Sequence, residues 1–336
     1  LRSPCIYSIA LSVAFAACVS TNSTTEAGRA HGPATTAEVA QKTISPLVDY
    51  HFHLLSPAGA VLLKSQGMEL APIDAAQAVA QLDKAGIRRA VVLSDAYFFD
   101  SPATASLPHS YEAVQAENDW TAREVSRFPD RLIAFCGVNP LSDHALAELN
   151  RCAQNPVFRG LKLHFDESGV DLLNPAHVVR VQRIFAAANA LGFPIITHIG
   201  TASTPPYGPR HARVFVEEFL PAAPNVTVLV AHLWGGAAYS DDIFKVFADA
   251  AAQHANLYFE ISGDALRVPS GLREAADIAK RMRQVGMSRF LFGSDFPVLN
   301  GTPYEKVWPT YESNMPLTRE EFRAIATNVA PFLCEP

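Results

Sequence analysis

The sequence predicts a (β/α)8 barrel. Three observations point there. From residue 46 onward, eight short apolar runs alternate with eight longer amphipathic stretches. The runs are rich in Val, Ile, Leu and Phe, as strands buried on both faces are. Polar residues follow several runs directly, at the strand ends where barrel active sites gather. The chain has 336 residues, 49% of them hydrophobic, which suffices for one large core. A doubly wound open sheet is the alternative. No GxGxxG follows the first run, so a dinucleotide fold has no support.

The expected strands cover 47–53, 90–94, 132–138, 160–164, 194–198, 226–232, 257–262 and 290–295. Between them, periods near 3.6 predict helices over 74–85, 111–128, 143–153, 176–191, 211–220, 242–254 and 271–285. A last helix over 318–332 closes the chain. Thr318 and Glu321 form a capping-box pair, and Ser142-Asp143 and Asp241-Asp242 offer further caps. Gly86, Gly192 and Gly286 each stop a helix just before the next strand.

The first residues read as an export segment. Arg2 precedes an apolar run from Ile6 to Ala17, too short for a bilayer span of roughly 20 residues. Phe15-Ala16-Ala17-Cys18 resembles a bacterial lipobox, in which the Cys becomes the lipidated first residue. Ordinary cleavage near Ala16 or Ala17, or an uncleaved anchor, are the alternatives. Residues 19–45 are rich in Ser, Thr, Ala and Gly and read as a flexible tether. The expected organisation is a leader over 1–18, a tether over 19–45 and a barrel over 46–336. An envelope lipoprotein facing the periplasm follows, touching membrane only through Cys18.

Charge and cysteines exclude other classes. A net charge of −6 without a basic patch argues against nucleic acid. Beyond the leader, Cys136, Cys152 and Cys334 are an odd count at wide spacing, which is no disulfide framework. Cys136, in an apolar run, reads as buried core.

The chemistry lies at the strand ends. His51 and His53 end the first run, His198 the fifth, His232 the sixth and Asp295 the eighth. Side chains alternate along a strand, so His51 and His53 point the same way and can chelate one metal. Alone, His-x-His is weak evidence. Joined by His198, His232 and Asp295, it points to a metal centre for a small-molecule substrate. Asp49 shares that face but lies deeper, which suits a structural role. Lys162 and His164 share a face of the fourth strand. Glu260 and Ser262 end the seventh and either orient a ligand by hydrogen bonds or pack. Tyr97, Phe98, Phe99, Tyr207, Trp234 and Phe296 lie in loops at the mouth, lining a pocket or packing. Tyr97, Trp234 and Arg210 are the candidates for substrate contact, and Arg210 and Arg267 for holding a carboxylate.

These motifs together resemble the amidohydrolase-related family, the branch that includes aminocarboxymuconate-semialdehyde decarboxylase. The marks are Val48-Asp49-Tyr50-His51-Phe52-His53, Gly160-Leu161-Lys162-Leu163-His164, Pro194-Ile195-Ile196-Thr197-His198, Val230-Ala231-His232 and Leu291-Phe292-Gly293-Ser294-Asp295-Phe296-Pro297, with Asn328 near the end. The resemblance implies one divalent ion, usually zinc, on His51, His53, His198 and Asp295. It implies His232 as an acid/base or orienting group. Some superfamily members carboxylate a strand-four Lys that bridges two metals. In that arrangement Lys162, His198 and His232 serve a second ion; one ion is the favoured reading. The fold often forms homodimers.

Two reactions use such a site. A metal-activated water opens an amide, ester or lactone bond, with Asp295 accepting a proton and His232 polarising the carbonyl or protonating the leaving group. Alternatively, an unsaturated or aromatic acid loses carbon dioxide. No Arg stands at a strand end to hold a departing carboxylate, and export is unusual for catabolic decarboxylases, so hydrolysis is preferred. A non-catalytic exported binding protein with a vestigial site is the third reading.

Overall fold

Each apolar run becomes a parallel strand: β1 (Val48–Phe52), β2 (Arg89–Leu93), β3 (Leu132–Gly137), β4 (Phe158–His164), β5 (Ile195–His198), β6 (Val228–Val230), β7 (Leu257–Glu260) and β8 (Phe290–Leu291). They pair in sequential order. The sheet closes because β1 also meets the segment after β8. Tyr50 N–H donates to Phe292 O, Asp295 N–H to His51 O and His53 N–H to Phe296 O, each at 2.8 Å. This computed structural model describes residues 44–105, 107–200, 207–236, 240–263, 273–299 and 301–334. The expected leader, its Cys18 and nearly all of the tether lie outside them, as do Arg267 and Thr204-Pro205-Pro206.

The helices are α1 (Pro57–Ser65), α2 (Ala75–Ala85), α3 (Ser110–Ser126), α4 (Ala145–Ala153), α5 (Pro175–Ala190), α6 (Pro209–Val214), α7 (Asp241–Gln253), α8 (Arg273–Val285), α9 (Val307–Asn314) and α10 (Arg319–Thr327). The Thr318–Glu321 capping box starts α10, and Gly86 ends α2 in the left-handed conformation. Two expected caps fall elsewhere. Ser240, not Asp241 or Asp242, caps α7, and α4 begins after His144 with no side-chain cap. Helices α1 and α9 were not expected. Gly59 inside α1 weakens its helical signal, yet Ser56 caps it by accepting Gly59 N–H at 2.8 Å. The expected helix over 318–332 stops at Thr327. Asn328 is extended there, and its side chain donates to Ser288 O and Phe290 O at 2.7 and 2.9 Å.

The strands divide two layers of core. Outward side chains such as Leu161, Leu163, Val228 and Phe259 pack under the helices. Inward ones, including Tyr50, Leu93, Ile133, Phe135, Ile196, Leu229 and Leu291, fill the lower barrel. The chain end plugs this layer from below: Ala330 N–H donates to Tyr50 OH at 2.7 Å, and Phe332 packs on Tyr50 and Phe135. Two residues further along the strands, the inward positions turn polar: Ile196 gives way to His198 and Tyr258 to Glu260. The packed layer is thus the floor of a polar site.

Strand β1 breaks the simple alternation. Its register shifts between Asp49 and Phe52. Asp49 therefore does not share the His51 face, as strict alternation predicts. It reaches Tyr304 OH, which donates to it at 2.8 Å, and accepts the N–H groups of His51 and Ser294 at 3.0 Å. Burial pushes its pKa up to about 6. Its role is structural, tying β1 to the segment after β8.

The cysteine expectation is corrected. Cys136 and Cys152 form a disulfide across 16 residues. Cys136 faces outward on β3 among the core side chains and meets Cys152 on the buried face of α4. The sequence count concealed this because the pairing depends on strand and helix register together. Loop closure of this length stabilises by about 3 kcal/mol. The Cys136→Ala/Cys152→Ala variant is therefore expected to lower Tm by roughly 5–10 °C, read by calorimetry. A change below one degree would assign the stability to packing alone.

Candidate metal centre

The polar layer is built from β1, β4, β5 and β7 and the segments after β6 and β8. His51 is buried between Glu260 and Asp295: Nδ1 lies 2.7 Å from Glu260 Oε1, and Nε2 lies 3.3 Å from Asp295 Oδ1. Donor atoms of His51, His232 and Asp295 all fall within 4.8 Å of one another. His53 Nε2 stands 3.9 Å from Asp295 Oδ1. Its Nδ1 is 2.8 Å from Asp95 Oδ1, but the ring N–H is not aligned for a good hydrogen bond, so the contact is chiefly electrostatic. The His198 ring packs 4.0 Å from His164 and 4.5 Å from His232.

Two of these residues hold unusual backbones. Asp295 has φ of 65°, and His232, Leu233 and Trp234 have φ of 55°, 46° and 40°. Asp tolerates the left-handed region, but three consecutive bulky residues do not without support. Leu233 and Trp234 are fully buried, and His232 N–H donates to Glu260 Oε1 at 2.9 Å. Such strain is characteristic of functional sites.

Burial sets the charges. It pulls His51 and His164 well below the usual histidine range and His198 down to about 3, with Lys162 adding repulsion in each case. These imidazoles are neutral. Lys162 is wholly buried, and its Nζ donates to His51 Nε2 at 3.1 Å. Burial lowers it to about 8, against the upward pull of Asp295, Glu260 and Asp95. Glu260 is pushed up to about 8 by burial, with Asp295 adding to the rise.

The donors fit a divalent cation. His198 Nε2 is buried with no hydrogen-bond partner among the described residues, a costly arrangement unless something accepts its lone pair. Neutral imidazoles with carboxylates suit zinc and also manganese, iron or cobalt. His51, His232 and Asp295 are the donors brought together to hold such an ion, with His53 beside Asp295 and His198 packed on His232.

A cavity of about 190 Å³ opens over this cluster. His51, His53, His198, His232, Asp295, Lys162, His164 and Tyr97 all line it. Two expected substrate contacts do not. Trp234 packs in the core against Phe244, Phe259 and Phe290, because the left-handed turn after His232 carries it under the helices. Arg210 is exposed at the start of α6, away from the wall. Of the other loop aromatics Phe98 joins the wall, whereas Phe296 stacks on Phe52. The wall also holds Asp95 and Glu167, which were not singled out, and Leu55, Leu63, Met68 and Leu70 in and around α1. Asp95 follows β2 as His198 ends β5, so the strand-end rule could have found it.

Comparison with known proteins gives a family and many similar folds. A family model described as amidohydrolase matches residues 48–329. No curated protein matches. A crystal structure of an amidohydrolase II is similar at 18% identity and TM-score 0.63, covering 86% of this chain and 99% of that one. A structure assigned as a 2-pyrone-4,6-dicarboxylic acid hydrolase from Acinetobacter baumannii, with citric acid bound, is 14% identical at TM-score 0.58, covering 83% and 96%. A dihydroxybenzoic acid decarboxylase from a Polaromonas species, with manganese and 2-nitroresorcinol bound, is 16% identical at TM-score 0.56, covering 84% and 95%. At these identities the likeness is one of fold.

Proposed function

The chain belongs to the amidohydrolase family, and from that premise we propose that it is a metal-dependent hydrolase opening an amide, ester or lactone bond of an uncharged small molecule. One observation carries the choice of reaction. The carboxylates Asp95, Glu167 and Asp295 line the cavity, and Lys162, already bonded to His51, is the cationic side chain among the described residues lining it. Apart from the cation itself and Lys162, a substrate carboxylate would meet like charge on several sides, which costs affinity.

When bound, a divalent cation supplies Lewis acidity and a water of lowered pKa. The side chains divide the remaining work. Asp295, 19% exposed and 3.3 Å from His51, reaches into the cavity and takes a proton from the attacking water. His232 is held at Nδ1 by Ser262 at 2.6 Å and passes that proton through Nε2 to the leaving group. Leu55, Leu63, Phe98 and Pro297 give the mouth an apolar wall that seats the organic part of the substrate.

Export to an oxidising envelope compartment, anchored at a lipidated Cys18, belongs to the same proposal. The Cys136–Cys152 disulfide supports it, since such bonds persist where the surroundings are oxidising.

The test is a panel of neutral lactones, esters and amides beside aromatic and unsaturated acids, with acid release and carbon dioxide release measured on each. Acid release from the neutral compounds is expected. Carbon dioxide from the acids, with no hydrolysis, would replace this reading by decarboxylation.

A further inference from the structure

We propose that Glu260 is a positioning residue that sets the tautomers of both His51 and His232 from one oxygen, with Gly293 providing its seat. The purpose of those tautomers rests on the metal-centre reading above; their geometry does not.

Glu260 ends β7 and is fully buried. Its Oε1 lies 2.7 Å from His51 Nδ1 and accepts hydrogen bonds from His232 N–H and Ser262 Oγ, each at 2.9 Å. A serine hydroxyl has one proton. Ser262 gives it to Glu260, so the 2.6 Å contact between Ser262 Oγ and His232 Nδ1 requires the histidine to donate. Both rings therefore carry their proton on Nδ1, and Nε2 becomes the acceptor nitrogen of each. Lys162 provides an independent check on His51: its Nζ lies 3.1 Å from Nε2 as a donor, which needs a lone pair there. A metal needs the same lone pair.

The seat is specific. A Cβ on residue 293 would stand 2.4 Å from Glu260 Oε2 and 2.9 Å from His51 Cβ. Real side chains do not approach so closely, so only glycine lets strand-seven carboxylate and strand-one imidazole meet. Residues 51, 260 and 293 lie far apart in the chain, and barrel closure brings them together. The bond from His232 N–H does a second task, bracing the left-handed turn at φ 55°.

The experiment uses the full chain, metal-free, with 15N-labelled histidine, and reads ring nitrogen shifts assigned by His51 and His232 variants. The wild type is expected to show both rings protonated at Nδ1. Ser262→Ala should change the His232 ring and spare His51. Glu260→Met should release both rings, and chelator competition should then read zinc binding weakened 10- to 100-fold. Glu260→Gln, which keeps an acceptor oxygen, should retain both tautomers. Ser262→Ala removes a single atom, so the test does not depend on how well Glu260→Met folds. The proposal is overturned if His232 stays protonated at Nδ1 in Ser262→Ala, or if Glu260→Met leaves both rings and zinc affinity unchanged within twofold. A wild type with the expected ring spectra but no zinc binding would uphold the positioning role and remove the metal-centre reading instead.

Discussion

Asp295→Asn is expected to cut turnover by about 100- to 10,000-fold and to weaken metal binding, while melting within a few degrees of the wild type. The carboxylate stands 3.3 Å from His51 and 3.9 Å from His53, so it is placed both to hold a cation and to take a proton. Asn keeps the shape and removes both abilities. It is a cleaner choice than Ala because residue 295 has φ of 65°, a region that Asn adopts readily and Ala does not. An Ala variant would mix lost chemistry with backbone strain. Turnover is read on whichever panel compound the wild type hydrolyses, and metal content by elemental analysis. Full turnover with unchanged metal content would remove Asp295 from the site altogether.

The barrel was legible because its strands are buried on both faces, and few other elements need six consecutive buried residues such as Leu132–Gly137 with no alternation. The site was legible for a related reason. A polar residue at the end of an apolar strand has nowhere to go in a barrel except its open mouth, and that holds for His51, His198 and His232 alike. Other features depend on information no single segment carries. The register shift in β1 turned Asp49 away from the histidines. The left-handed turn after His232 buried Trp234 among Phe259 and its neighbours. Helix α1 hides behind Pro57 and Gly59, yet it brings Leu63 to the cavity wall. The Cys136–Cys152 bond needs both a strand face and a helix face to be known first. Periodicity thus locates which residues reach the mouth, and loop geometry decides which of them stay there.

Lys162→Met is expected to leave one equivalent of metal per chain and to bind it more tightly than the wild type below pH 8. Lys162 is wholly buried, so Met preserves the volume it fills. In the wild type its ammonium occupies the His51 Nε2 lone pair at 3.1 Å. An ammonium and a metal cation cannot share that nitrogen, so the lysine must lose its proton or swing away as the cation enters. Its pKa is lowered to about 8. The sign follows: below about 8 each pH unit down adds a protonated competitor, and above it the competitor is gone. One displaced proton is worth about tenfold in affinity per pH unit, so the variant should lead by about tenfold at pH 7 and about a hundredfold at pH 6. His51, His164 and His198 do not confuse the profile, because burial already keeps them neutral there. Chelator competition from pH 6 to 9 reads the affinities and elemental analysis the stoichiometry. Two equivalents in the wild type, falling to one in the variant, would instead make Lys162 a carboxylated bridge between two ions. Parallel affinity profiles for the two proteins would mean that the ammonium does not compete and that the cation lies away from His51 Nε2.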